Sequence, residues 1–185
     1  YKAFGPKTVF EGLNLEVERG ETHAVIGRSG EGKSVLLKHI CGLMKPDAGD
    51  VLVHGHNVVR DPKARQWVRR NVSMVFQMAA LFDSLTVYEN VAFYWLENRE
   101  KEGKEIDRLV ANLLDEVDLP NTEHLYPGEL SGGMRKRVGL ARALATQPEI
   151  ILYDEPTTGL DPVTSEVINE LMVRCGSHHN LTSVI

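Results

Sequence analysis

The chain has 185 residues, 42% hydrophobic and 25% charged, with a formal net charge of −5. That suffices for one domain with a sizeable core and room for an inserted subdomain, and the acidic balance argues against a general nucleic-acid binder. Cys41 and Cys175 are too few and too far apart for a metal spacing, so reduced, buried thiols in a cytosolic protein are expected. No apolar run approaches the roughly 18 residues of a membrane span, and the N-terminus has no signal-peptide layout. Any membrane association is expected to come through a partner.

Residues 8–26 predict β structure: Thr8-Val9-Phe10, then Leu13–Val17 with period-two alternation, then Thr22–Ile26. Gly12 and Arg19-Gly20 punctuate these runs as turns. Gly27-Arg28-Ser29-Gly30-Glu31-Gly32-Lys33-Ser34 follows, matching G-x-x-x-x-G-K-[ST] at each required position. Residues 34–41 behind it have helical apolar spacing. Strand, glycine-rich turn and helix N-terminus make converging backbone N–H groups and a partial positive charge available to one anion. Lys33 is then suited to reach β- and γ-phosphates, and the Ser34 hydroxyl to hold Mg2+.

A turn at Pro46–Asp50 leads to a short strand, Val51–Val53, and a hairpin in which His54 and His56 flank Gly55 as surface residues. Val72–Phe76 is the next apolar strand, ended by Gln77. From residue 78 to 130 the period turns helical, through Val87, Val91, Phe93 and Tyr94. The charged run Glu97–Arg108 is a solvated helix face and loop. Ile106, Leu109, Val110, Leu113, Leu114 and Val117 then form an amphipathic stripe. This pattern predicts a helical insertion in an α/β core.

Leu130-Ser131-Gly132-Gly133-Met134 opens another helix, with Val138, Ala141 and Leu144 on its apolar side. Ser131, Gly132 and Gly133 therefore sit at a second helix N-terminus suited to an anion. One triphosphate rarely needs two such sites, which points to the nucleotide of a second copy. Ile150–Tyr153 is a continuous apolar run ending in Asp154-Glu155, as in a central parallel strand whose C-terminal edge faces a ligand. Asp154 is suited to the Mg2+ shell and Glu155 to polarising a water that attacks the γ-phosphate. The chain opens at Tyr1 and closes in Leu181–Ile185, a strand just beginning, so a fragment of a longer chain is expected.

Phosphate loop, Gln77, Leu130-Ser131-Gly132-Gly133 and the acid-ended strand, in that order, resemble the nucleotide-binding domains of ABC transporters. Asp154-Glu155-Pro156-Thr157-Thr158-Gly159-Leu160-Asp161 resembles the family's segment from the Walker B strand into its D-loop. The resemblance spans essentially the whole chain. It implies an α/β fold: a P-loop NTPase (RecA-like) core, an N-terminal antiparallel β subdomain and an inserted helical subdomain. The core would comprise residues 1–77 and 137–185, and the helical and signature subdomain residues 78–136.

The same resemblance implies ATP and Mg2+ as cofactors and ATP hydrolysis as the activity. Gly27 to Ser34 and Val35 would bind ATP, with Phe4 stacking on adenine by its π face. Ser34, Gln77 and Asp154 would hold Mg2+, and Gln77 and Glu155 would act in catalysis. Ser131, Gly132 and Gly133 would close over the γ-phosphate of a second copy in a head-to-tail dimer, with Asp161 at its interface. Residues of about 78–130 would dock a transmembrane permease, at the cytoplasmic face of the inner membrane. Met134, where the family usually has glutamine, and the run Val75–Val91 resemble the Mla/Mce-type lipid transporter ATPases, which implies an Mce-type lipid-binding subunit as a further partner. Import of amino acids or other polar solutes stays open within the family, as does a soluble ABC protein acting on ribosomes. The family's switch histidine would fall about three residues beyond Ile185. A chain ending here is expected to bind ATP and hydrolyse it poorly.

Overall fold

The computed structural model describes residues 1–99 and 101–185. It opens with an antiparallel hairpin of β1 (Lys2–Phe4) and β2 (Lys7–Phe10). β3 (Thr22–His23) leads through a loop into α1 (Lys33–Ile40). A second hairpin, β4 (Leu52–Val53) with β5 (His56–Asn57), precedes α2 (Pro62–Asn71) and β6 (Val72–Val75). Then come α3 (Val87–Asn98), α4 (Gly103–Glu116), α5 (Gly132–Leu144), β7 (Ile150–Tyr153), α6 (Pro162–His178) and β8 (Thr182–Val184).

Four strands make one parallel sheet in the order β3–β8–β7–β6. Parallel neighbours need crossover connections, and helices supply them: α3–α5 between β6 and β7, α6 between β7 and β8. β7 lies centrally and reads as an apolar run because both of its faces are covered. Period-two alternation divides its side chains between two cores. Ile151 and Tyr153 pack with α3–α6, and Ile150 and Leu152 with Leu37 of α1 and Val68 of α2.

Local chemistry fixes the helix starts. Thr86 and Glu89 form a capping box on α3: the Thr86 hydroxyl accepts from Glu89 N at 3.2 Å, and Glu89 Oε2 accepts from Thr86 N at 2.7 Å. Just behind, the amide of Asn90, fully buried, donates to the carbonyls of Phe82, Leu85 and Thr86 and accepts from Phe82 N. Asn90 thereby fixes the turn that delivers the chain into α3.

The predicted strand at Leu13–Val17 is absent: these residues run without strand partners, and Leu13 and Leu15 are 48% and 39% exposed. Their apolar alternation lines a cleft of about 610 Å³ between this segment, α1 and residues 46–54. Alternation sets which side faces inward, but a strand also needs a neighbour in register. The Thr22–Ile26 strand shortens to Thr22–His23. Val25 N still donates to Ile185 O at 2.7 Å, and Ile26 turns out to solvent. Both cysteines are free thiols, but only Cys175 is buried; Cys41 is half-buried. α2 and α6 fall outside the expected elements. Their legible signal is Asp61-Pro62 and Asp161-Pro162, each an N-cap acid before a proline in the first turn.

Candidate functional site

The loop between β3 and α1 turns through two left-handed glycines, Gly30 (φ 80°) and Gly32 (φ 111°). At Gly32 a Cβ would also stand 2.6 Å from Val9 Cγ1 and 2.9 Å from Phe10 Cε1, so β2 excludes any side chain there. No side chain caps α1 and no acid lies in its first turn, leaving its N-terminal donors and partial positive charge available. Lys33 Nζ folds back into the loop, donating to Gly27 O at 2.8 Å and Arg28 O at 3.2 Å. Glu31 closes the other side, its Oε2 accepting from Arg28 N at 2.8 Å. Ser29 is exposed at the turn, and Val35 is half-buried on the first turn of α1.

The acid pair meets this loop across the end of the sheet. Asp154 is only 7% exposed; its N–H donates to Val75 O, extending the β6–β7 ladder by one residue. That places Asp154 Oδ1 to accept from Ser34 Oγ at 2.6 Å. Lys33 Nζ lies 3.3 Å from Glu155 Oε1. Glu155 Oε2 accepts from Gln77 Nε2 at 3.2 Å and from Thr158 Oγ1 at 3.1 Å. Glu155 itself is left-handed, with φ 48°, directly before Pro156, where the chain normally stays extended. Such a conformation costs on the order of 1–3 kcal/mol and clusters at functional sites.

The structure thus brings together Lys33, Ser34, Gln77, Asp154 and Glu155. It keeps three other predicted groups apart from them. Phe4 ends β1, about half exposed, with Lys2 Nζ 5.3 Å from its ring centroid. Ser131 caps α5, its hydroxyl accepting from Met134 N, and Gly132 and Gly133 form the first turn. A Cβ on Gly133 would stand 2.6 Å from Thr164 Cγ2, so α5 and α6 meet here through the absence of a side chain. Asp161 caps α6 and accepts from the Thr164 hydroxyl (2.6 Å) and amide (3.0 Å), which hold its carboxyl below the ordinary carboxylate value. Among the described residues, no hydrogen bond or ion pair joins Phe4, Ser131–Gly133 or Asp161 to residues 27–35.

Two contributors escape motif reading. Lys136 of α5, 8% exposed, donates to Thr158 O at 3.2 Å. Burial lowers its pKa, and the Glu155 charge works against that shift. Its signal is positional: Gly133, Lys136, Leu140 and Ala143 recur at helical spacing on the buried face of α5. Arg142 is the second. Past Gln77 the chain carries two consecutive left-handed alanines, Ala79 (φ 59°) and Ala80 (φ 48°). The Arg142 guanidinium donates to both of their carbonyls at 2.8 Å, and a Cβ on Gly139 would lie 3.2 Å from Ala79 Cβ.

A parallel sheet with a glycine-rich loop running into a helix, and an acid pair at the end of its central strand, is the P-loop NTPase fold. Residues 10–158 match the family model described as ABC transporter, and the chain belongs to that family. It is 43% identical over 179 residues to the protein TRIGALACTOSYLDIACYLGLYCEROL 3, chloroplastic, of Arabidopsis thaliana, covering 93% of this chain and 52% of that protein. It is 39% identical to the intermembrane phospholipid transport system ATP-binding protein MlaF of Haemophilus influenzae, covering 98% of this chain and 69% of that one. It is also 40% identical to the methionine import ATP-binding protein MetN of Lactobacillus acidophilus, over 94% of this chain and 50% of that one. Among solved structures, the dimeric post-hydrolysis state of the ATP-binding cassette MJ0796, bound to ADP and Pi, superposes with a TM-score of 0.85. That match has 33% identity and covers 95% of this chain and 78% of the other. The chain spans about half the length of the first curated relatives it matches.

Proposed function

We propose that this chain is the ATP-binding and ATP-hydrolysing part of an ABC transporter, and that the transported substrate is a phospholipid or related lipid. One observation carries the ATPase reading: the contacts Lys33–Glu155, Ser34–Asp154 and Gln77–Glu155 tie the glycine-rich loop to the acid pair. Mg2+ takes hard oxygen ligands, and the Ser34 hydroxyl beside the nearly buried Asp154 carboxylate fits it, with the Gln77 amide oxygen as a further donor. When bound, Mg2+ neutralises charge on the phosphoryl group. Gly27 to Val35 cradle the phosphates, and Phe4 stacks on the base. Lys33 leaves Glu155 and its two carbonyls for the β- and γ-phosphates. Glu155, released from that ion pair but still held by Gln77 and Thr158, then orients and polarises the attacking water.

Among the described residues Ser131–Gly133 and Asp161 make no hydrogen bond or ion pair to their own phosphate loop and meet at Thr164, which supports their use on the nucleotide of a second copy. Residues 1–77 with 137–185 act as the ATP-binding core and residues 78–136 as the helical subdomain. A groove of about 330 Å³ lined by Phe76, Ala80, Phe82 and Phe93 supports permease docking beside the Gln77 segment, at the cytoplasmic face of the inner membrane. Among the described residues no helix is long and apolar enough to cross a membrane. The similarity to MlaF supports the lipid reading and an Mce-type partner; the similarity to MetN supports the second reading, an amino-acid importer.

Glu155→Gln in the full-length protein tests the ATPase reading. ATP affinity is expected to stay while turnover falls by about 100-fold or more, with the dimer trapped closed on size-exclusion chromatography. Turnover at the unmodified rate would remove Glu155 from the mechanism. Mass spectrometry of proteins co-purifying from detergent-solubilised membranes separates the substrates: an Mce-type subunit supports lipid, a solute-binding protein supports import of a polar solute.

A further inference from the structure

Glu116, the last residue of α4, and His178 and His179, at the end of α6, come from distant parts of the chain and converge at one point on the surface. Glu116 Oε1 lies 3.1 Å from His178 Nδ1 and 2.8 Å from His179 Nε2. All three candidate ligand atoms lie within 4.8 Å of one another. Consecutive residues of a continuing helix diverge and do not face one target. Here α6 stops at His178, His179 takes the C-cap position with φ −97° and ψ 4°, and Asn180 turns left-handed at φ 50°. The break lets both rings meet, their centroids 4.8 Å apart and their planes at 37°.

We propose that Glu116, His178 and His179 form a binding site for a divalent transition-metal ion of the Zn2+ class, outside the nucleotide site. Two imidazoles and one carboxylate are a recurrent zinc donor set. Around a tetrahedral ion with bonds of about 2.05 Å, ligand atoms stand about 3.3 Å apart. The two Glu116–histidine distances are already within about half an ångström of that. The two imidazole donor atoms, within 4.8 Å of each other, need to approach by at most about 1.5 Å and to exchange their protons for the ion. The carboxylate is 15% exposed and the His179 ring 30%, so the ligands are partly ordered, while His178 is 70% exposed and gives the ion an entry path. The nearby cation Arg174 is engaged elsewhere, donating to Glu116 O at 2.7 Å and paired with Asp118 at 2.9 Å. Three protein ligands leave a fourth position for water. A bound ion ties the C-terminal end of α4 to that of α6.

The test is thermal unfolding and calorimetric titration of the full chain with Zn2+, with Mg2+ and ATP present so that the nucleotide site is filled. The expected result is one Zn2+ per chain and a Tm that rises with Zn2+ concentration but not with further Mg2+. The double variant His178→Ala/His179→Ala, at surface positions, is expected to fold normally and to bind Zn2+ more than about 100-fold more weakly, beyond what loss of a supporting group costs. Glu116→Gln, which keeps the side-chain size, is expected to weaken binding in the same direction. No Zn2+-dependent rise in Tm would overturn the site, and so would an equal rise in the double variant, which would place the ion on other histidines.

Discussion

Helices α3–α6 on one face of the sheet, and α1 with the N-terminal hairpins on the other, cover it unequally. On the first face Val87, Val91, Val110, Leu114, Val117 and Val138 are all fully buried. On the second, the buried set is small, and Leu13, Leu15 and Leu52 stand 48%, 39% and 62% exposed along the wall of the large cleft. The two halves of the proposed nucleotide site are also held differently. Asp154 and Lys136 are buried, and Glu155 is held by hydrogen bonds from Gln77 and Thr158. The phosphate loop is held by its glycine conformations and by hydrogen bonds among its own residues, which a ligand can exchange. Acids held by the fold, facing an adaptable loop, suit the proposed admission and release of a polyanion.

Paired truncations break this comparison if it is wrong. Leu114→Ala is expected to cost about 3–4 kcal/mol in urea unfolding, because it empties a site that cannot collapse. Leu15→Ala on the other face should cost less, about 1 kcal/mol, since 39% of its surface stays in water and it lines an open cleft. Equal losses would mean that the two faces are equally packed. Asn90→Ala should fall between them, at about 2 kcal/mol, since it leaves Leu85 O and Phe82 N without the partner that Asn90 supplied, whereas Phe82 O and Thr86 O keep backbone donors. The smallest effect is one of pH. The Thr86 amide, and then its hydroxyl, hold the Glu89 carboxyl below its ordinary value of 4.5. The capping box therefore contributes stability above pH 4.5 and loses it as pH falls through the lowered value. Glu89→Gln caps without titrating, so its stability should fall less steeply in acid, measured by Tm from pH 6 down to about pH 3. A parallel decline in both proteins would remove Glu89 from the acid response.

The packed face was the more legible one in sequence. Ile150–Tyr153 announces a two-sided strand by its unbroken apolar run, and Ile106–Val117 announces α4 by its stripe. The loop was legible for another reason: Gly30 and Gly32 occupy conformations that other residues rarely adopt, so chemistry constrains their identity. Leu13–Val17 misleads because pairing depends on what lies alongside, and alternation carries no information about a neighbour. Lys136 is hidden between Arg135 and Arg137, where a run of three cations suggests solvent. Only the helical register of Gly133, Leu140 and Ala143 reveals that the middle one points inward. The Glu116–His178–His179 cluster was illegible because it depends on where α6 stops.

Arg142 has a mechanical consequence. One hydrogen bond is a pivot; two from a rigid planar group to adjacent carbonyls also resist twisting. Residues 79–80 and α5 are welded, although 62 and 63 positions separate the bonded groups in the chain. A push on the segment after Gln77 is therefore expected to reach the far end of α5, at Ser131, as displacement of a whole rod. Their amides should open to hydrogen exchange as one unit. Arg142→Lys, which substitutes a swivelling point charge for the planar fork, should let them open separately.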